Sequence, residues 1–296
     1  MAQVSVVLIF LDAERFIGEA IDSARGQSLS DWELILVDDG SSDESTAIAK
    51  RAAEADPRIR YVEHPSHANR GMSASRNLGA AQGTAPYLAF LDADDRWEPN
   101  KLAEQVALLE GDGELALTLG ALLYWYSWDP AAVEPDRLVL TGGIADRRLE
   151  PPEAALQLYP LGTGAGAGLD VLVRRSAFEA VDGFEERFRG LYEDQAFLLK
   201  IFLRYPVFIS SRPWLRYRQH DASCCATTTR SPADYRRLRM DFLRWLATYL
   251  DRQSTLQPKV RRALWRAQRR LRLEAARDLV KKTLRRLASG GASTRA

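Results

Sequence analysis

Asp92-Ala93-Asp94 sets two carboxylates two residues apart, just after the apolar run Pro86–Leu91. Such a pair shares a divalent cation, or one carboxylate holds the metal and the other a hydroxyl. Hard Mg²⁺ or Mn²⁺ takes oxygen ligands and binds through one or two carboxylates plus substrate phosphates. A turn whose aspartates cap the next helix explains the same spacing. Asp38-Asp39-Gly40-Ser41-Ser42-Asp43 follows another apolar run. Adjacent carboxylates there repel unless a donor such as a base N–H or a ribose hydroxyl satisfies one. Alternatively this is a strand-to-helix turn, with Gly40 supplying the unusual φ and Ser41 the cap. Glu193-Asp194 is either an acidic first helical turn complementing the helix dipole or a general base for an acceptor hydroxyl. Arg76 is a surface ion-pair partner or a clamp on a phosphate or aspartate. His220 is structural, or a contact to a metal or phosphate. Cys224-Cys225 reads as packing, since nothing beside it activates a thiol.

The elements that must position these groups alternate. Val4–Phe10 is continuously apolar, as a strand buried on both faces requires. Glu14–Arg25 is helical. Glu33–Val37 is a second strand, and Ser41 with Glu44 reads as a capping box for a helix to about Ala55. Ile59–Val62, a helix over Met72–Ala81, the strand Pro86–Leu91 and a helix from about Pro99 to Leu109 follow. This order predicts an α/β fold with a mostly parallel central sheet flanked by helices. Ligands of such sheets lie beyond the carboxyl ends of the strands, where Asp38, Asp39, Asp92 and Asp94 all fall. Farther on, Leu115–Trp128 predicts one or two strands and 129–150 a loop or hairpin. Gly162–Gly168 is a glycine-rich loop before a strand at Asp170–Val173. Glu193–Leu203 is helical, with short strands at Val207–Ser210 and Trp214–Gln219.

Hydrophobic residues make up 46% and charged residues 27% of the 296, so a wholly disordered chain is excluded. Two cysteines build no disulfide framework, and no Cys/His array has zinc spacing. The 14 residues of the longest apolar-rich stretch, 115–128, fall short of a bilayer span. No signal peptide is read at the N-terminus. These features predict a cytoplasmic chain. Its net charge of +1 hides an asymmetry: residues 230–296 hold 19 Lys+Arg against 5 Asp+Glu.

Seven stretches together resemble the family 2 glycosyltransferases of the GT-A (Rossmann-like) fold. They are Val4–Glu14, Trp32–Asp43, Asn69–Ala80, Leu88–Trp97, Gly183–Phe188, Tyr192–Leu199 and Tyr217–Ser223. The resemblance implies a metal-dependent, inverting sugar transfer from a nucleotide diphosphate donor, foremost a UDP-sugar, to a hydroxyl acceptor in cell-surface or lipid-linked glycan synthesis. It matches Asp39 to the aspartate reading the base, Asp92 to the one near the ribose and Asp94 to a ligand of Mn²⁺ or Mg²⁺. Asp194 matches the catalytic base, with Glu193 beside it. Arg76 matches an arginine of the nucleotide site, and His220 a histidine near the metal or phosphates. Relatives carry Pro-Val-Tyr-Asn where this chain has Ile9-Phe10-Leu11-Asp12, so Phe10 and Leu11 fall at the base, Leu11 offering apolar contact without stacking.

The expected organisation is a catalytic domain over 1–229, its nucleotide half about 1–110 and its acceptor half about 111–229. A basic helical C-terminal extension over 230–296 follows. In the extension Val260, Leu264, Ala267, Leu271, Ala276, Leu279, Val280, Leu284 and Leu287 recur at helical spacing among arginines. That stripe packs on the catalytic domain, meets an anionic membrane at the cytoplasmic face, or makes an oligomer contact. No nucleic-acid module accompanies it. Two competing functions are a non-catalytic nucleotide- or sugar-binding module that keeps the fold, and a phosphatase with Asp92 as nucleophile. The second is disfavoured because the acidic pair follows the fourth strand rather than the first.

Overall fold

Seven apolar residues in a row leave no polar face, and β1 (Val4–Phe10) is accordingly buried along its whole length. A computed structural model describes residues 2–139, 142–162, 164, 168–228, 231–253 and 258–290. It divides into two units, residues 1–227 and 228–296.

In the first unit, β1 leads through α1 (Ile17–Arg25) to β2 (Trp32–Asp38), α2 (Ser45–Ala55), β3 (Ile59–Glu63), α3 (Met72–Gln82) and β4 (Tyr87–Asp92). β5 (Arg96–Trp97), α4 (Lys101–Gly111), β6 (Leu117–Leu119), β7 (Leu122–Trp125), β8 (Arg137–Val139) and β9 (Arg147–Leu149) follow. Then come α5 (Glu153–Gln157), β10 (Val171–Arg174), α6 (Arg175–Ala180), α7 (Glu193–Phe202), β11 (Val207–Ile209), β12 (Leu215–Arg218) and α8 (Cys224–Thr228).

Eight strands form the central sheet in the order β3-β2-β1-β4-β10-β6-β11-β9. The four from the nucleotide half are parallel, as the alternation predicts. Beyond β4 the sheet is mixed, because β10 enters antiparallel to both β4 and β6. A second sheet runs β5-β12-β7-β8. The stretch 115–128 is therefore two strands in two different sheets, and β8 and β9 do not form a hairpin with each other. Thr163 and 165–167 of the glycine-rich loop lie outside the described residues. Cys224 is exposed rather than packed.

Helix α3 lies unusually close to the sheet. A Cβ on Gly79 would stand 2.3 Å from Val7 Cγ1 and 2.9 Å from Val37 Cγ2, so only glycine permits this approach. That proximity carries Arg76, one turn earlier, under the carboxyl end of β4.

In the second unit α9 (Pro232–Arg252) and α10 (Pro258–Gly290) form an antiparallel hairpin. Arg236 pairs with Asp278 at 2.7 Å, Gln268 Nε2 donates to the Leu243 carbonyl, and Arg261 donates to Asp251 and to the Leu250 carbonyl. Val260, Leu264, Ala267 and Leu271 are buried. Ala276 and Val280 are exposed, so the stripe does not continue unbroken. The side chains of Leu279, Leu284 and Leu287 lie outside the described residues.

Candidate functional site

Parallel register sets the aspartates side by side. Phe10 pairs with Asp38 on one flank of β1 and Ile9 with Asp92 on the other. Asp38 is fully buried and serves the turn: Oδ1 accepts the Gly40 and Ser41 N–H groups, and Oδ2 accepts the Thr46 and Tyr61 hydroxyls. Asp39 accepts the N–H groups of Arg70 and Gly71 and the Ser75 hydroxyl. Ser75 in turn meets His64 Nε2 at 3.0 Å. The expected repulsion between adjacent carboxylates is thus relieved by the chain's own donors, without any ligand. Gly40 has φ +90°, and a Cβ there would sit 2.9 Å from the His67 carbonyl oxygen.

The expected capping box is also revised. Ser41 Oγ accepts the Asp12 N–H at 3.2 Å, tying two loops together, and Asp43 Oδ1 accepts the Ser45 N–H at the start of α2. Phe10, expected at the base, is turned into the core at 3% exposure, and its carbonyl accepts the Asp39 N–H. Leu11, the next residue, is 45% exposed because Asp12 bends the chain away with φ +47°.

Arg76 is 1% exposed, so it is no surface ion-pair partner; it is the clamp on an aspartate that its position allowed. Its guanidinium donates to Asp92 Oδ1 at 2.7 Å and to Glu193 Oε1 at 3.3 Å, and lies 5.3 Å from the Phe184 ring centre. Among the described residues its Nε is a buried N–H without an acceptor. Burial works against its charge, but Asp92 and Glu193 overcome this and raise its pKa. Asn77, the next residue, clamps the Phe184 backbone through both ends of its amide. Arg76 and Asn77 thereby fasten α3 to the segment leading into α7.

At the start of α7, Glu193 is 7% exposed. Burial first, then the charge of Asp194, push its carboxyl up to about 8, against the pull of Arg76. Burial raises Asp194 as well, opposed by the N–H and side-chain amide of Gln195, which it accepts at 2.6 and 3.2 Å. Tyr192, immediately before, holds φ +77° and shares a 2.5 Å hydroxyl contact with Tyr159.

Asp94 and His220 converge from segments 126 residues apart: Oδ2 and Nε2 are 3.0 Å apart, and both side chains are partly exposed. Phe16 lies 5.1 Å from the imidazole between ring centres. Among the described residues no cluster of three or more His, Cys, Asp or Glu is arranged to hold a metal. Asp94, with Asp92 on the same turn, offers carboxylate oxygens of the kind Mn²⁺ or Mg²⁺ takes alongside phosphate oxygens and water, and His220 stands beside Asp94.

Two residues beneath this pair escape the sequence patterns. Arg218 donates its backbone N–H to Asp95 Oδ1 and its Nε–H to the Asp94 carbonyl, so β12 grips the aspartate turn twice. It also meets Glu19 and the rings of Phe16, Trp125 and Trp128. Asp95 is buried, and burial, then the charges of Asp94 and Asp92, hold its pKa well above the carboxylate range. The signal was present: Arg218 stands two residues before His220 in the same matched stretch.

Comparison with known proteins fits this arrangement. Residues 5–131 match the model of Glycosyl transferase family 2. The uncharacterized glycosyltransferase EpsJ of Bacillus subtilis is 35% identical over 155 residues, covering 52% of this chain and 42% of that protein. The putative teichuronic acid biosynthesis glycosyltransferase TuaG of the same organism is 34% identical over 108 residues, 36% of this chain and 41% of that one. The chain thus spans about two fifths of the length of these relatives. Among solved structures, S. aureus TarS 1–349 in complex with UDP-GlcNAc superposes with TM-score 0.69 at 17% identity, over 89% of this chain and 70% of that one. The mannosyltransferase PcManGT of Pyrobaculum calidifontis, in complex with GDP-Man and Mn²⁺, gives TM-score 0.58 at 17% identity over 99% and 81%. The fold is therefore that of the GT-A-like transferases.

Proposed function

We propose that this chain, a family 2 glycosyltransferase by sequence over residues 5–131, transfers a sugar from a nucleoside diphosphate to a hydroxyl acceptor with inversion. The observation that carries this is the bridge through Arg76. It joins the carboxylate at the end of β4 to the acidic start of α7, two groups more than 100 residues apart in the chain. A fold that only needed a turn cap would not join them.

In this reading Leu11 lies against the base, Asp39 takes a base N–H, and Asp92 takes a ribose hydroxyl. Asp94 and His220 hold Mn²⁺ or Mg²⁺, which when bound supplies Lewis-acid stabilisation to the departing diphosphate. Asp194 accepts the acceptor's proton as the new C–O bond forms. Its burial raises its basicity, which suits that role. Base and leaving group stand on opposite faces of the sugar, so one in-line displacement inverts the anomeric carbon. The teichuronic acid biosynthesis in the name of one relative supports a cell-surface polysaccharide as acceptor. The complexes of the structural neighbours support a UDP- or GDP-sugar as donor.

No described helix is long and apolar enough to cross a membrane. This reading places the chain on the cytoplasmic side, meeting a lipid-linked acceptor from the surface. Release of nucleoside diphosphate from UDP- and GDP-sugars, with and without Mn²⁺, tests it. Mn²⁺-dependent release that vanishes in Asp94→Ala supports it. Donor binding without turnover, across a panel of hydroxyl acceptors, would return the chain to a binding module.

A further inference from the structure

The face of α10 opposite its buried stripe carries apolar side chains with no visible reason to be there. Trp265 is 58% exposed, Leu273 50% and Val280 57%. A helix turns about 100° per residue. On that count these three fall within about 80° of one another, and their centre lies about 180° from the centre of Val260, Leu264, Ala267 and Leu271. The arrangement is therefore two-sided: one apolar stripe is buried and a second faces out.

The charges follow the same division. Arg262, Arg266, Arg269 and Arg277 are exposed and flank the outward stripe. Arg269 lies 5.4 Å from the Trp265 ring centre. Of the acids of α10, Asp278 pairs with Arg236 of α9, while Glu274, half-buried, lines the same recess as Trp265, Arg269 and Leu273. Four arginines around a tryptophan and two aliphatic side chains outnumber the one half-buried acid, Glu274, and match a surface that is anionic at its boundary and apolar just beneath.

We infer that α10 docks its outward face, Trp265, Leu273 and Val280 with the flanking arginines, onto an anionic lipid surface. The orientation corrects the simpler expectation from the sequence. The stripe at Val260–Leu271 is buried and unavailable, and the opposite face makes the contact. Lipid is favoured over a protein partner by the charge pattern, since a protein surface matching this face would need a continuous acidic belt around an apolar strip. This contact rests on the residues of α10 alone and goes beyond the proposed function.

Flotation of the full chain with vesicles tests it, with no substrate present. The chain should float with phosphatidylglycerol vesicles and stay behind with phosphatidylcholine vesicles. Each arginine near an anionic surface strengthens binding about fivefold, so raising the salt should release the chain steeply. Trp265→Ser with Leu273→Ser should weaken partitioning at least tenfold while circular dichroism and donor hydrolysis stay at wild-type values. Arg266→Ser with Arg269→Ser tests the charge separately and should lower the salt dependence. Equal flotation on both vesicle types overturns the inference, as does full binding by the Trp265/Leu273 variant. Loss of a Trp265-dependent dimer, seen by sedimentation without vesicles, would overturn it in favour of self-association. A chain that floats but transfers no sugar would refute the proposed activity and leave this inference standing.

Discussion

Arg76 donates to Asp92 across 2.7 Å while only 1% of its own side chain meets solvent. The carboxylate is 34% exposed, so a buried charge holds a reachable one. Through its second nitrogen Arg76 also holds Glu193. Arg76→Met removes the positive charge, leaving Asp92 without its counter-charge and Glu193 without its donor. Breaking a buried pair by deleting one partner costs about 3–5 kcal/mol, and the partial exposure of Asp92 places this case near the lower end. Urea denaturation should show that loss. Arg76→Lys, with a point charge instead of a fork, should recover only part of it. A variant within 0.5 kcal/mol of wild type would mean the bridge is incidental.

Asp194→Asn keeps the shape of α7 and can still accept the Gln195 backbone N–H, but it loses the second oxygen that accepts the Gln195 side-chain amide and cannot take a proton. Transfer should fall by about 10²–10⁴, with donor affinity changed less than threefold. Asp94→Ala and His220→Ala should show the reverse pattern, weakening Mn²⁺-dependent nucleotide binding by titration calorimetry. Full transfer by Asp194→Asn would remove it from the base position.

Much of this was legible in the chain. Continuous apolar runs marked β1, β2 and β4, and alternation fixed their parallel direction, so the aspartates had to gather at one edge. What escaped was contributed by distant segments. Nothing local to Asp38 reveals that Tyr61 and Thr46 supply its donors, and nothing local to Arg76 reveals burial between two carboxylates. Matching Ile9-Phe10-Leu11-Asp12 to the relatives' Pro-Val-Tyr-Asn sets Phe10 at the base, but a motif match does not say which side chains of a fully buried strand reach the ligand edge. The mixed half of the sheet was unreadable for a similar reason. Its strands are three or four residues long, too short to show a period.

Glu193 carries a testable pH signature. Its folded-state carboxyl sits at about 8, against an ordinary value of 4.5. The folded chain therefore binds this proton more tightly than the unfolded chain, and its contribution to stability falls as pH rises between those values. The slope is at most about 1.4 kcal/mol per pH unit. Glu193→Gln keeps an acceptor for Arg76 and removes the titration. The variant should gain on wild type progressively from pH 5 to pH 8 in thermal unfolding, with little difference near pH 4. A constant offset across that range would show that Glu193 is not held protonated by its surroundings.

Lys101 and Asp170 pose a cleaner test of buried charge, because both are fully inaccessible and their Nζ and Oδ1 atoms are 2.5 Å apart. Gln105 Oε1 accepts a second Lys101 proton at 2.9 Å, and the Trp214 N–H donates to Asp170 Oδ2 at 3.2 Å. The pair pins α4, which leaves the Asp94 turn, to the start of β10. Burial lowers the lysine's pKa and raises the aspartate's, each countered by the other's charge. Asp170→Asn removes that counter-charge and should cost about 3–5 kcal/mol. Lys101→Met with Asp170→Asn removes both charges together. The double variant should be less destabilised than the sum of the singles by at least 1 kcal/mol, the coupling expected of residues in direct contact. Strict additivity in that double-mutant cycle would show that the two charges do not depend on each other.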